Sequence, residues 1–151
     1  MNKNRALINL SASYRTQFGK EDFRLQSFPQ KVFSAIWTAE SEINNGGFAQ
    51  YFRNTSAETV RFVVEAFEAI GAPRTSDICR RAISLAFPNG LPSSSDCISF
   101  ITAEFTNEML DKLDALDTEF YQYPHNLTDL LFTFVSNHRA EFGTLPEVDD
   151  V

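Results

Sequence analysis

Apolar residues recur three or four positions apart along most of the chain, which is the spacing of one face of an α-helix. The clearest such stretch runs from about Ser56 to Ile70 and places Val60, Val63 and Phe67 on one face. No stretch alternates apolar and polar residues at the two-residue period of a half-buried strand. The pattern therefore predicts an all-α fold, a compact single-domain bundle of about six to eight helices without a sheet.

Capping residues and helix breakers predict where these helices begin and end. One capping box is predicted from Ser27 with Gln30 and a second from Thr55 with Glu58, while Gly71 is a natural C-terminal stop. Further helical segments are predicted over residues 75–87, 96–105, 107–123 and 127–142. The N-terminal stretch is also compatible with a helix, with Leu7, Leu10, Tyr14 and Phe18 in register and Gly19 as its stop.

The length and the apolar content indicate one domain. A chain of 151 residues with 43% hydrophobic residues can bury a core without disulfides or metals. We expect an N-terminal helical extension over residues 1–26, a helical core domain over residues 27–143 and a short acidic tail over residues 144–151.

The cysteines and the apolar runs bear on localisation. Cys79 and Cys97 are isolated thiols, which is typical of a reducing compartment. The first residues do not resemble a signal peptide. No apolar run approaches the roughly 20 residues of a membrane-spanning helix, so we expect a cytoplasmic protein that does not bind membranes.

Charge is distributed unevenly within the net −7 of the chain. Residues 1–81 carry 11 basic and 8 acidic side chains, whereas residues 82–151 carry 2 basic and 12 acidic side chains. One interpretation is a solubilising surface. The other is an acidic face that steers a basic partner electrostatically. Direct binding of nucleic acid is not expected, because the acidic half would repel phosphates.

The acidic residues fall on the outward faces of predicted helices. At about 100° per residue, Leu113 and Phe120 turn inward, and Asp117 lies near the apolar edge, where a structural role is expected. The carboxylates predicted to form a partner-binding face are Asp96, Glu104, Glu108, Asp111, Asp114 and Glu119. Carboxylates three residues apart rise about 4.5 Å along a helix, comparable with about 3.4 Å per phosphate on a nucleic-acid strand. A merely solvated helix face is the alternative.

A polar and aromatic segment lies between two predicted helices. Its notable residues are Glu42, Asn44, Asn45, Gly46, Gly47, Phe48, Gln50, Tyr51, Phe52 and Asn54. On a structural interpretation, the glycines break the helix, the aromatic rings fill the core and Glu42 bonds free amide groups of the next helix. Valine at Gly46 should then destabilise the fold, through a positive φ there. A ligand pocket is the alternative interpretation.

Catalysis finds little support in the sequence. His138 lies on the apolar face of the last predicted helix, and His125 follows a proline in a connector. Neither cysteine belongs to a recognisable nucleophile motif. There is no phosphate-binding glycine loop and no metal-ligand spacing. We therefore expect a protein that is not an enzyme and that uses no cofactor and no metal.

The segment Glu42-Ile-Asn-Asn-Gly-Gly-Phe-Ala-Gln-Tyr-Phe-Arg-Asn54 resembles the signature of a bacterial family long catalogued as a domain of unknown function. The best-described member of that family is a DNA-mimic protein. The likeness extends to Ala69-Ile-Gly-Ala72, Ala86-Phe-Pro88, Leu116-Asp-Thr-Glu-Phe-Tyr121 and Leu130-Leu131, and so covers most of the chain between Phe33 and Phe142.

The resemblance implies a compact all-helical homodimer with an acidic surface that imitates the phosphates of duplex DNA. In the described member, that surface occupies the DNA-binding site of a transcriptional regulator. This chain is net positive through residue 81, so two alternatives stay open: mimicry confined to its C-terminal half, or no mimicry in this member.

Three functional hypotheses follow. The first is a non-catalytic DNA mimic whose carboxylates within residues 96–119 bind a basic DNA-binding protein, such as a transcriptional regulator or a nucleoid protein. The second is an antidote that covers a basic toxin or nuclease. The third is a small-ligand-binding protein or an enzyme that uses the Glu42 to Asn54 motif. A deep polar cleft at that motif would favour the third, and a convex acidic ridge would favour the first two.

Overall fold

A computed structural model describes residues 2–12 and 22–143 of the chain. Within these residues the protein forms seven α-helices and no strand, which confirms the all-α prediction. The helices are α1 (Lys3–Ala12), α2 (Phe28–Asn54), α3 (Ala57–Ala69), α4 (Pro73–Ala86), α5 (Ser95–Ala103), α6 (Asn107–Tyr121) and α7 (Leu127–Asn137). Two short 3-10 helices, Phe23–Leu25 and Arg139–Glu141, flank the bundle.

Some predictions fall outside the described residues. The acidic tail over residues 144–151 lies outside them, as do Tyr14, Phe18 and Gly19 of the predicted N-terminal register. Leu7 and Leu10 are described and are buried on α1. Among the described residues, no helix combines the length and the apolar character needed to cross a bilayer.

The longest helix, α2, is the centre of the bundle. It packs against α3, α5, α6 and α7, while α4 packs against α3 and α6, and α1 against α7. The largest fully buried side chains are aromatic, and most of them belong to α2: Tyr51, Phe33, Phe48, Phe52, Phe67, Phe120 and Phe142. Burial of this aromatic surface is the main driving force that holds α2 at the centre.

Local capping signals set most of the helix ends. Ser27 and Gln30 form the predicted capping box at the start of α2. The box predicted from Thr55 and Glu58 is wrong, because the N-cap of α3 is Ser56, whose hydroxyl accepts from the Thr59 N–H at 3.3 Å. The Ser56 hydroxyl lies one residue closer to the first turn than that of Thr55. It therefore reaches the free N–H of Thr59 and caps the helix.

Glycine and proline separate α3 from α4 as their chemistry dictates. Gly71 has a φ of 84°, and the Ala72 N–H bonds the Phe67 carbonyl at 2.9 Å, which closes the end of α3 as predicted. The next helix begins at Pro73, two residues before the predicted start, because proline suits the first helical position. The last helix ends at Asn137, short of the predicted 142, and a 3-10 turn follows.

Candidate functional site

The glycine pair interrupts α2 without a connecting loop. Gly46 (φ −154°, ψ 20°) and Gly47 (φ 74°, ψ −175°) leave the helical conformation, and helix resumes directly after them. A break of this kind leaves main-chain groups on both sides without their helical partners. The predicted interruption at the Asn-Asn-Gly-Gly sequence is therefore present, as a kink inside one long helix.

Two side chains of α6 bond the main-chain groups freed by this kink. Asp117 Oδ1 accepts a hydrogen bond from the Phe48 N–H at 2.8 Å. The Tyr121 hydroxyl, one turn further along α6, donates to the Ile43 carbonyl at 2.6 Å. The prediction that Glu42 bonds these free amide groups is wrong, because Asp117 takes that position. The predicted structural role of Asp117 is confirmed.

The close approach of Asp117 also explains why a glycine stands at position 47. A Cβ atom there would collide with the Asp117 carboxylate, and the positive φ is itself strained for other residues. The positive φ predicted at Gly46 is wrong, because it occurs at Gly47. At Gly46 a Cβ atom would meet the side chain of Gln50 instead.

The polar side chains of the motif bond to one another. Glu42 Oε2 accepts from Gln50 Nε2 at 2.9 Å and from Asn54 Nδ2 at 3.1 Å, so one carboxylate ties the two halves of the kinked helix together. Asn45 is exposed. The aromatic members Phe48, Tyr51 and Phe52 are fully buried, as expected of core residues, and they are among the seven side chains named above.

A second chain of hydrogen bonds links the motif to the end of α6. Asn44 Nδ2 donates to the Tyr123 hydroxyl at 2.7 Å, and that hydroxyl donates to Glu40 Oε1 at 3.0 Å. Burial raises the pKa of Glu40. Burial is also the largest cause that raises the pKa of Tyr123 to about 12. A cavity of about 170 Å³ beside Trp37 touches Glu40 and Asn44. The polar side chains of the motif therefore bond within the fold, and this small cavity lies beside them.

The predicted acidic residues lie where helix geometry placed them, with one exception. The exposed carboxylates are Asp96, Glu104, Glu108, Asp111 and Asp114. Glu108 pairs with Lys112 at 3.3 Å. Within residues 2–12 and 22–143, the other four form no ion pair. Asp96 and Glu108 also lie in the first turns of α5 and α6, where carboxylates stabilise a helix.

Glu119 differs from the other five acidic residues because it pairs with a cation of another helix. Its two carboxylate oxygens accept from the Arg81 guanidinium at 2.7 and 2.9 Å. The hydrogen bond from Arg81 lowers the pKa of Glu119. Arg81 also bonds Asp77 at 3.0 Å, so that the charge of Glu119 belongs to a local network between α4 and α6.

A larger cavity lies beside this network. It measures about 630 Å³ and is lined by charged residues of α4 together with Glu119, Gln122 and two prolines. Asp77, Arg81 and Glu119 already pair with one another, and the main-chain N–H of Arg74 donates to His125 Nε2 at 3.1 Å. His125 therefore accepts a hydrogen bond from one of the free N–H groups in the first turn of α4.

The remaining candidates for chemistry are tied into the fold. His138 Nδ1 lies 2.8 Å from the Phe134 carbonyl, and its ring stacks on Phe134. Cys79 is buried, and burial raises the pKa of its thiol. In the part of the chain that the structure describes, no group of three His, Cys, Asp or Glu side chains could hold a metal ion.

The sequence does not by itself place near the motif the two tyrosines at the end of α6 that bond it, nor does it place Arg81 of α4 beside Glu119. Tyr121 entered only as part of a segment that resembles the family, and Tyr123 only as a predicted helix end. The available signal was the spacing of Asp117 and Tyr121, which puts an acceptor and a donor one turn apart on the same face of α6.

The model of the DMP19-like protein family matches residues 25–138. This range holds α2 to α7, and with them the kink, its partners on α6 and the exposed carboxylates. The chain belongs to the DMP19-like protein family. The resemblance drawn from the motif is thus confirmed at the level of the family. Comparisons of this DMP19-like protein with curated proteins and with solved structures found no match.

Proposed function

We propose that this protein is a non-catalytic binding protein of the DNA-mimic kind. Its acidic face, defined as Asp96, Glu104, Glu108, Asp111 and Asp114, occupies the nucleic-acid-binding site of a basic protein. A transcriptional regulator or a nucleoid protein is a partner of suitable chemistry. Membership of the DMP19-like family supports the proposal.

The observation that carries the proposal is a row of exposed carboxylates, of which only Glu108 forms an ion pair among the described residues, with Lys112 of its own helix. Asp111 and Asp114 lie in the middle of α6, where they cap no helix end and form no ion pair among the described residues. Like charges one turn apart destabilise a helix slightly. A basic partner would remove that repulsion, and the surrounding field would speed its association.

The spacing of these carboxylates suits a site built for phosphates. Glu108, Asp111 and Asp114 follow one another at three-residue intervals, which corresponds to about 4.5 Å of rise per step. Phosphates on one strand of duplex DNA are separated by about 3.4 Å of rise. Glu119 is left out of the acidic face, because it is only partly exposed and Arg81 of another helix binds both of its carboxylate oxygens.

An enzyme or small-ligand function at the motif gains little from the geometry. The polar side chains Glu42, Asn44, Gln50 and Asn54 bond one another or Tyr123. The adjoining cavity of about 170 Å³ is smaller than the roughly 300–1,000 Å³ of typical ligand pockets. An antidote to a basic toxin would use the same acidic face, and the identity of the captured partner separates these two functions.

We also propose that the protein acts as a homodimer, as the family resemblance implies. Sedimentation across a concentration series should show a dimer at the highest concentrations. A monomer throughout the accessible range would contradict this part of the proposal.

The test of the acidic face compares two double charge reversals. The Asp111→Lys/Asp114→Lys variant alters the face, whereas Glu65→Lys/Glu141→Lys changes the net charge equally at exposed sites elsewhere. A partner captured from lysate at low salt should elute as salt rises, and the first variant should capture at least about tenfold less of it. Equal loss in both variants would contradict a defined face and leave only a general charge effect.

A further inference from the structure

An apolar groove lies within the acidic face, where α5 and the start of α6 meet the end of α4. It measures about 250 Å³, and its apolar lining consists of Ala86, Phe100, Ile101, Phe105 and Met109, with Glu104 beside them. Phe100 is 71% exposed. An aromatic side chain this exposed costs solvation free energy, which a binding partner would recover.

Carboxylates surround the groove on the same surface. Asp96 lies four positions before Phe100, on the same side of α5 and about 6 Å away along the axis. Glu104 directly follows the end of α5 and lines the groove itself. Glu108 follows at the start of α6, next to Met109 in the groove. Lys112 is the nearest cation in sequence, and it is already paired with Glu108. The groove is thus apolar with a net negative rim.

We propose that this groove receives an apolar side chain from a basic amphipathic segment of the partner protein. The inference rests on the proposed function and specifies the partner's chemistry: a large apolar residue with lysine or arginine on either side. The apolar residue packs on Phe100 and Met109, while the cations meet Asp96, Glu104 and Glu108. The partner would then recognise a feature that duplex DNA does not offer.

Charge and size argue against the other occupants of the groove. A second copy of this chain would bring two negative rims together, and like charges facing each other across an interface are unfavourable. A free small molecule fits less well, because the volume of about 250 Å³ is below that of typical ligand pockets, roughly 300–1,000 Å³. One or two inserted side chains suit this volume.

The two kinds of contact respond differently to salt. Pairing between exposed charges weakens as ionic strength rises, whereas burial of apolar surface does not. A buried aromatic anchor near the centre of an interface commonly carries much of its affinity. Loss of Phe100 should therefore lower affinity by the same factor at every salt concentration, and loss of the carboxylates should flatten the salt dependence.

The test uses two synthetic peptides as probes, each of about 18 residues, or five helical turns. One combines lysine with leucine at helical spacing, and the other has serine in place of leucine and the same charge. Fluorescence anisotropy at several salt concentrations should show the lysine–leucine peptide binding the wild type roughly tenfold tighter. Phe100→Ala should remove this preference and keep the salt dependence. Leu25→Ala, a matched control at a side chain that is 73% exposed, should keep the preference.

Several results would overturn the inference. Equal affinity of the two peptides for the wild type, or a preference that survives Phe100→Ala, would show that the groove does not take part. A shift of the protein from dimer to monomer in Phe100→Ala would assign the groove to a second copy of the chain. In all three cases the proposed function would still stand if Asp111→Lys/Asp114→Lys weakened binding. Binding that ignored both salt and those reversals would instead count against the proposed function.

Discussion

Asp117 accepts a hydrogen bond from the main-chain N–H of Phe48 at 2.8 Å, across 69 positions of sequence. This bond joins α6, which carries much of the acidic face, to the kink in α2, which carries the family motif. Tyr121 bonds the other side of the same kink. The motif therefore acts at a distance from the acidic face. Its kink holds the position of α6, whose outer side presents Asp111 and Asp114.

The first prediction concerns Gly47. Alanine at this position combines a positive φ with a contact too close to Asp117, so it should lower the free energy of unfolding by at least about 2 kcal/mol. Gly71 is the matched control: its φ is also positive, but a Cβ atom there would meet nothing within 4 Å. Gly71→Ala should cost about 1–2 kcal/mol, which is the conformational part alone. Urea unfolding measures both, and equal losses would contradict the account of the kink.

The second prediction concerns the buried hydrogen bond of Asp117. Asparagine keeps an acceptor oxygen for the Phe48 N–H, whereas alanine leaves that group unpaired. Asp117→Ala should therefore cost about 1–3 kcal/mol at neutral pH. Asp117→Asn should cost clearly less in the same unfolding experiment. A loss as large in asparagine as in alanine would show that the hydrogen bond is not what stabilises this contact.

Asp117 also makes the free energy of unfolding depend on pH, and the direction of its pKa shift sets the sign of that dependence. Burial raises the pKa of Asp117 above its ordinary value of 3.8, partly offset by the Phe48 N–H. The folded carboxyl then holds its proton more tightly than the unfolded one. Its contribution to stability is fully present below pH 3.8 and is lost as the pH rises through the raised pKa. The wild type should thus lose stability relative to Asp117→Asn over that interval, and the opposite slope would contradict this assignment.

The third prediction separates Glu119 from the acidic face. Its pair with Arg81 is about half exposed on both sides, so Glu119→Gln should lower the free energy of unfolding by only about 0.2–1 kcal/mol. Capture of the partner should remain as in the wild type, because the Glu119 charge is already neutralised. Loss of capture in this variant, at unchanged stability, would return Glu119 to the binding surface.

The sequence predicts the local features of this fold well. The Ser27 capping box and the Gly71 stop depend on neighbours in the chain, and the exposure of Asp111 follows from helix periodicity alone. Glu42 and Gly46 were assigned wrongly for a different reason. Which of two adjacent glycines takes the positive φ, and which carboxylate reaches the freed amide, depend on the approach of α6. A contact between residues so far apart in sequence leaves no local pattern.

In the candidate site, too, the features that depend on one helix follow from the sequence, and the contacts between helices do not. Helix geometry places the carboxylates of the acidic face outward, since that result needs only the period of one helix. It cannot show that Glu119 would meet Arg81 on another helix, nor that Phe100 would remain exposed beside Met109. Both depend on how α4, α5 and α6 pack, and that packing is set by the buried core.

The most direct test of the central claim is a competition between this protein and duplex DNA for one partner. A DNA-binding protein captured at low salt would be titrated with labelled duplex DNA in the presence of increasing amounts of this chain. DNA mimicry predicts mutual exclusion that weakens as salt rises. It also predicts that Asp111→Lys/Asp114→Lys displaces DNA at least about tenfold less well than the wild type or Glu65→Lys/Glu141→Lys. A complex that holds DNA and this protein together, or displacement unaffected by the reversals, would contradict the claim.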